Sequence, residues 1–359
     1  MRLAPAAGLA ALSLLAACAT ARPAAGPTAP PPGATALAAA RSGPEAFAEL
    51  PGWASEDHAG ALAAFRQTCG AAREVQMAAV CARARGLSDV AEPSARHFLE
   101  TNFRPQALTG DGLLTGYFAP EYEAREHADG AFSAPVRPRP SDLPAATAPS
   151  APYADRTAID ARPSADALAW MRPEDLFFLQ VQGSGSLTFP DGHRLRAVYD
   201  GNNGLPFVGV ARPLRERGLL ADANTSAANV HGWLAAHRGA EADAIMRLNP
   251  RYVFFRLVAD DGSQPAGTAG APLPPGRAIA VDATRHAMGE VYWLDARAPA
   301  LSGAFPIYQR LAVALDTGGA IQGEVRADLY LGRGTAAGEE AGRIRHVLHL
   351  YRLVPVTAP

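Results

Sequence analysis

The sequence predicts a mainly β fold with helical additions, and three observations carry that prediction. Residues 311–315 form a continuous apolar run of the kind a fully buried strand shows. Residues 327–331 alternate with period two, which places Leu329 and Leu331 on one face and Asp328 and Tyr330 on the other. Residues 57–105 instead repeat apolar positions at helix spacing: Ala61, Leu62 and Phe65, then Val75, Ala79 and Ala82, then Phe98, Leu99 and Phe103. A chain of 359 residues with 48% hydrophobic residues can supply the cores of two domains. A net charge of -2 with no basic stripe argues against a nucleic-acid partner. Every basic residue is Arg, and Ala, Gly and Pro abound, a composition that reads as codon bias.

At the N-terminus Arg2 precedes an apolar run, residues 9–17, too short to span a bilayer as a mature helix. Leu15-Ala16-Ala17-Cys18 resembles a bacterial lipobox. It implies a signal peptide over residues 1–18, a lipid on Cys18 and, with Ala19 rather than Asp next, anchorage in the outer membrane facing the periplasm. An ordinary signal peptide with an Ala-x-Ala site is the other reading, but it leaves a cysteine at the +1 position unexplained. Residues 19–44 are rich in Ala, Pro and Gly and should act as a tether, since they offer little large apolar surface to bury. In the helical stretch, Cys69 and Cys81 would lie about 18 Å apart on one continuous helix, at about 1.5 Å per residue. Gly70 reads as a helix stop, which opens the way to a hairpin and a disulfide in an oxidising compartment. Two buried free thiols are the alternative. Pro93 suits a helix start and Pro105 a stop.

Residues 113–120 read as a strand that carries Thr115, Tyr117 and Phe118 around Gly116. Sugar rings stack on aromatics while polar groups take their hydroxyls, so the composition suits a glycan groove; an ordinary aromatic-rich strand is the alternative. Residues 125–165 read as a long loop and residues 175–187 as a strand. Gly183-Ser184-Gly185 lacks the G-x-S-x-G spacing of a nucleophile elbow, which disfavours a serine hydrolase. Pro190-Asp191-Gly192 closes a hairpin, residues 199–204 form a turn-rich loop, and residues 211–247 are helical. Asn249-Pro250 breaks that helix and starts a strand, and residues 278–294 continue the β structure with Asp282. The run at 311–315 delivers Asp316 into Thr317-Gly318-Gly319, where backbone can turn sharply or approach a ligand. After residue 331 a loop leads to a short helix with Thr335 as its expected cap. His346 and His349 fall on opposite faces of a strand, and no metal cluster is expected among the nine His residues. Spacing alone leaves Asp316 and Asp328 open as turn and cap residues.

Asp282 in AIAVDATRHAMGEVYW, Asp316 in ALDTGGAIQG and Asp328 in VRADLYLG resemble the three-aspartate 3D domain. With LTGYFAPEYEA and DLFFLQVQGSGSLTF upstream, the chain resembles the membrane-bound lytic transglycosylase A family from about residue 45 onward. The resemblance implies a double-psi β-barrel, residues 45–122 and 248–359 with N-terminal helices, a second barrel-like β domain inserted at residues 123–247, and a substrate groove between them. It implies cleavage of peptidoglycan at the β-1,4 bond between N-acetylmuramic acid and N-acetylglucosamine without water, giving a 1,6-anhydro end. Asp328 is then the acid and later the base, with Asp316 its carboxylate neighbour, while Asp282 is structural. Thr115, Tyr117, Gln182, Ser184, Gly318, Gly319 and Tyr330 are assigned to the groove. No cofactor or metal is implied; the partners are glycan strands, the outer membrane through Cys18 and other proteins of wall metabolism. Two places depart from the family pattern: Ala287-Met288-Gly289-Glu290 stands where a Leu-Gly-Thr-like turn is usual, and Gln322 replaces a basic residue. A peptidoglycan-binding lipoprotein without catalysis and a hydrolytic glycosidase are the alternatives. The lone Asp316-Thr317-Gly318 would need a second copy to make an aspartic protease.

Overall fold

The computed structural model describes residues 46–88, 90–144, 153–220, 225–298 and 306–356. The expected signal peptide with Cys18 and the tether lie outside the described residues. The first layer is helical. Helix α1 (His58–Thr68) starts where the Asp57 carboxylate accepts from the Gly60 amide. Helix α2 (Val75–Arg85) is capped by Glu74, whose carboxylate accepts from the amides of Gln76 and Met77. Pro93 sits in the first turn of α3 (Glu92–Asn102), where its missing N–H costs nothing. Between α1 and α2 the chain turns over Cys69–Ala71, and Cys69 and Cys81 are joined by a disulfide across a Cα–Cα distance of 5.5 Å. Leu62, Phe65 and Leu99 of this layer meet Trp293, Leu311 and Leu353 of the sheet beneath.

That sheet holds β1 (Phe103–Ala107), β2 (Leu113–Ala119), β9 (Ala278–Val281), β10 (Val291–Arg297), β11 (Ile307–Thr317), β12 (Arg326–Arg333) and β13 (Arg345–Pro355). Pro105 lies inside β1, so the helix ends three residues before it. The strand order is β1-β13-β10-β11-β9-β12-β2, and β13 also pairs with β2, which closes six strands into a barrel and leaves β1 as an added edge. Leu114, Ile279, Tyr292, Leu294, Leu329, Leu348 and Leu350 fill its interior. On β13 His346 points inward and His349 outward.

The remaining strands are β3 (Glu121–Glu123), β4 (Ala134–Val136), β5 (Ala169–Met171), β6 (Ser184–Thr188), β7 (Arg194–Asn202) and β8 (Val253–Ala259). Four of them form a second sheet in the order β3-β6-β7-β8. Only Pro120 separates β2 of the barrel from β3 of this sheet. Because β8 pairs along β7, residues 253–259 join the inserted sheet, although the sequence reading assigns everything from 248 to the barrel. The expected loop at 199–204 is in part strand, since β7 runs to Asn202.

Of the helices α4 (Arg156–Asp160), α5 (Pro173–Gln182), α6 (Ala211–Glu216), α7 (Ala227–Ala236) and α8 (Ala240–Met246), α5 packs on the inserted sheet, α4 meets Phe254 of β8, and α6 to α8 gather against Phe177 of α5. Helix α5 corrects the strand expected at 175–187, of which only β6 is extended. Leu176, Phe177, Leu179 and Gln180 are buried at helical spacing, Pro173 opens the helix, and Gly183 closes it at φ 81°. A short apolar run is ambiguous by itself, and here the start and stop residues decide. Helix α9 (Gly334–Ala341) follows β12 directly with Thr335 inside its first turn, so Thr335 is not the expected cap. It lies close against β2: a Cβ on Gly338 would fall 2.7 Å from the Phe118 ring.

The disulfide closes a short loop, so Cys69→Ser together with Cys81→Ser should cost about 2–4 kcal/mol in urea unfolding. Reductant should destabilise the parent to the same extent and leave the double variant unaffected.

Candidate active site

Asp316 on β11 and Asp328 on β12 are both in register with Ala280, one from each side of β9. Residues directly opposite on paired strands share a face. The two Cα atoms are therefore about 10 Å apart, at about 4.8 Å per strand. Thr115 on β2 is in register with Asp328, and Arg345 on β13 with Thr115. Ala327 and Leu329 belong to the barrel core, so Asp328 projects from the opposite face.

The two carboxylates are held differently. Asp316 accepts from four donors: the Thr268 amide at 2.9 Å, the Thr268 hydroxyl at 2.7 Å and the Thr317 amide at 2.9 Å on Oδ1, and the Tyr117 hydroxyl at 3.0 Å on Oδ2. Asp328 accepts at Oδ1 from the Thr115 hydroxyl at 2.5 Å, and among the described residues nothing bonds to its Oδ2. Burial pushes the Asp328 carboxyl above its ordinary value; Thr115 and Arg326 oppose the shift, and Asp316 adds to it. Burial and then the charges of Asp316 and Asp328 hold the Tyr117 phenol well above its usual range, so it stays a donor at neutral pH.

Tyr330 is corrected from a groove residue to a support. It is 1% exposed, its ring packs 5.2 Å from that of Tyr117, and its hydroxyl donates to Gln264 Oε1 at 2.8 Å. Such a ring has no free face for a sugar. Gln182, the last residue of α5, accepts from the Phe118 amide at 3.4 Å and so ties the inserted part to β2. Ser184 begins β6, opposite Val198. Among the described residues neither Gln182 nor Ser184 bonds to a carboxylate. Gly318 and Gly319 are exposed in the turn after β11, where Ile321 N–H donates to the Gly318 carbonyl at 2.9 Å. Phe207 of the inserted part approaches Gly319, its Cβ 3.9 Å from where a Gly319 Cβ would stand. Asp282 accepts from Thr284 through amide and hydroxyl, and from the Gly323 amide at 2.8 Å. The Thr284 hydroxyl first, then these amides, bring its carboxyl down to about 2.

Sequence reading missed three residues. Arg326 donates to the Thr115 hydroxyl at 2.8 Å; its place two positions before Asp328 on one strand face was a usable signal. Thr268 and Gln264 come from the connection after β8, and no local pattern marks them. A fourth group, Asp260, ties the inserted sheet to the end of β12. Its side chain is 1% exposed and accepts from Ser186 Oγ at 2.6 Å, Arg333 Nη2 at 2.5 Å and Arg196 Nη2 at 3.2 Å. Burial works against this charge, yet the bonds from Arg333, Ser186, the Gly262 amide and Arg196 outweigh it and hold the carboxyl well below its usual range.

Comparison with known proteins identifies the family. Residues 113–256 match the family model described as the MltA specific insert domain, and residues 277–354 match the 3D domain. A crystal structure of a membrane-bound lytic murein transglycosylase from Agrobacterium tumefaciens superposes with a TM-score of 0.74 at 32% identity, covering 87% of this chain and 97% of that one. The chain belongs to the membrane-bound lytic murein transglycosylase A family. The family protein of Vibrio cholerae is 34% identical over 253 residues, 68% of this chain; the match spans 66% of that relative's own length. The Escherichia coli family member solved with bound chitohexaose superposes with a TM-score of 0.65 at 26% identity, covering 84% of this chain and 89% of that one.

Asp260→Asn should cost about 3–5 kcal/mol at pH 7, because Arg194, Arg196 and Arg333 lose a buried partner. The depressed carboxyl contributes stability that is present above the unfolded value near 4 and lost as pH falls below it. Urea titrations at pH 7 and pH 3 should therefore differ less for the variant than for the parent.

Proposed function

We propose that this protein is a peptidoglycan lytic transglycosylase that cleaves the bond between N-acetylmuramic acid and N-acetylglucosamine, with Asp328 as its single acid and base. The observation that carries the proposal is the asymmetry of the two carboxylates. Burial, with Asp316 adding to it, raises the Asp328 carboxyl above its ordinary value and so favours the protonated acid, and among the described residues nothing bonds to its Oδ2. It gives its proton to the glycosidic oxygen as the C1–O bond breaks. The muramyl 6-hydroxyl then bonds to C1, and its proton passes to the Asp328 carboxylate, which restores the acid. No water enters, so the product carries a 1,6-anhydro ring.

Asp316 stabilises positive charge developing at C1. Its four donors leave it poorly placed to activate a water, which is what a hydrolase of the two-carboxylate kind requires. Tyr117 and the turn at Gly318 and Gly319 border the space beside Ala280 where a sugar would lie, and Phe207 closes it from the inserted side. Gln182 and Ser184 line the groove farther out, and Asp282 serves the barrel by fixing the loop that leads into β12. The chitohexaose bound by the E. coli relative supports a groove for β-1,4-linked amino sugars. The names of the relatives, membrane-bound murein enzymes, support association with a membrane; the lipobox-like Leu15-Ala16-Ala17-Cys18 is what supports a lipid anchor at Cys18 and a place at the periplasmic face of the outer membrane.

The test is mass spectrometry of purified murein digested by the soluble form, lacking residues 1–18, beside Asp328→Asn. The parent should release fragments one water lighter than hydrolysis products, and the variant should be slower by on the order of 10²–10⁴-fold. Hydrated fragments would make the protein a hydrolase. Retention of murein without any fragment would make it a binding protein.

A further inference from the structure

Resting on the reading of Asp328 as the acid, we propose that Arg326 is a positioning residue that, through Thr115, fixes which oxygen of Asp328 carries the reacting proton. The argument is a count of protons. The Thr115 hydroxyl has two partners among the described residues, the guanidinium of Arg326 at 2.8 Å and Oδ1 of Asp328 at 2.5 Å. A guanidinium only donates, so Thr115 must accept from Arg326. Its one proton then has Asp328 Oδ1 as its acceptor. The carbonyl oxygen of a carboxylic acid is the stronger acceptor, so the bond from Thr115 onto Oδ1 favours the proton on Oδ2, which no described residue binds. Without Arg326 the hydroxyl is free to turn, accept a proton held on Oδ1 and retain it against β2.

Arg326 is well fixed for this task. Its Nη1 donates to the carbonyl of Ala327 and, at 3.4 Å, to that of Leu113, so the backbones of both β12 and β2 hold the guanidinium in place. The register puts Arg326 opposite Leu113 and Asp328 opposite Thr115, two residues apart and so on the same strand face. Among the described residues the charges that act on Asp328 are Arg326 on its own strand and Asp316 on β11; Tyr117 on β2 is coupled to it, Arg345 on β13 acts on Arg326, and β9 offers uncharged Ala280. Burial and Asp316 favour the protonated acid, and Arg326 is the cation that opposes them. Arg326 therefore keeps the proton transferable as well as oriented.

The experiment measures kcat and the pH profile of kcat/KM on purified murein for the parent, Arg326→Met, Arg326→Lys and Asp328→Asn. Arg326→Met should lower kcat by on the order of tenfold with KM within about twofold, because the acid is misoriented rather than the sugar unbound. Its alkaline limb, where the acid loses its proton, should move to higher pH, since a cation that favours ionisation is gone. Arg326→Lys should keep the limb near the parent's while remaining slower. Should Arg326→Met fail to fold, Arg326→Leu, which also removes both the donors and the charge, is read in the same way. An unmoved limb in the uncharged variant overturns the proposal, because a merely structural role would slow the enzyme without shifting that limb. An Asp328→Asn variant as active as the parent would remove the acid itself and the proposal with it. An inactive Asp328→Asn beside an Arg326→Met that behaves like the parent overturns the role of Arg326 alone.

Discussion

Two like charges in neighbouring, partly buried positions resist being ionised together, and the site depends on that constraint. Strand β9 sets it by holding Ala280 between Asp316 and Asp328. Donors then break the symmetry. Four converge on Asp316 and favour an acceptor-only carboxylate there, whereas Asp328 receives one hydroxyl. The group with fewer donors is the one whose carboxyl burial and its neighbour raise above the ordinary value. A carboxyl that favours its proton beside an acceptor carboxylate is what the proposed reaction needs, and both groups stand on strands of the barrel sheet.

The route of the chain explains why these groups meet. The barrel closes only when β13 pairs with β2, and β2 reaches the inserted sheet within one residue, at Pro120. Thr115 and Tyr117 therefore sit on the last strand before the chain leaves the barrel. The return path after β8 contributes Thr268 to Asp316 and Gln264 to Tyr330. Asp260, on the same path, clasps Arg333 at the far end of the strand that carries Asp328. Each crossing between the two sheets thus does two things, joining the halves and completing the site.

Much of this was legible in the sequence, for local reasons. The apolar run before Asp316 and the alternation around Asp328 marked strands because burial on one or both faces imposes those patterns. Gly70 signalled the turn that lets Cys69 reach Cys81. The run at 175–182 misled because a buried helix and a buried strand can show the same short apolar stretch, and the signals at Pro173 and Gly183 were needed to separate them. Alternation gave the face of Tyr330 but not its depth, which the loop around Gln264 determines. Thr268 was invisible, since its role arises from a contact spanning 48 residues in a stretch without periodicity.

The central claim is that Asp328 holds its proton because it is buried beside Asp316. Carbon-13 NMR titration of the Asp328 carboxyl, in the parent and in Asp316→Asn, tests it most directly. The account predicts a midpoint above the ordinary aspartate range in the parent and a lower one once the neighbouring charge is removed. A midpoint in or below the ordinary range, or one that ignores the loss of Asp316, would contradict it.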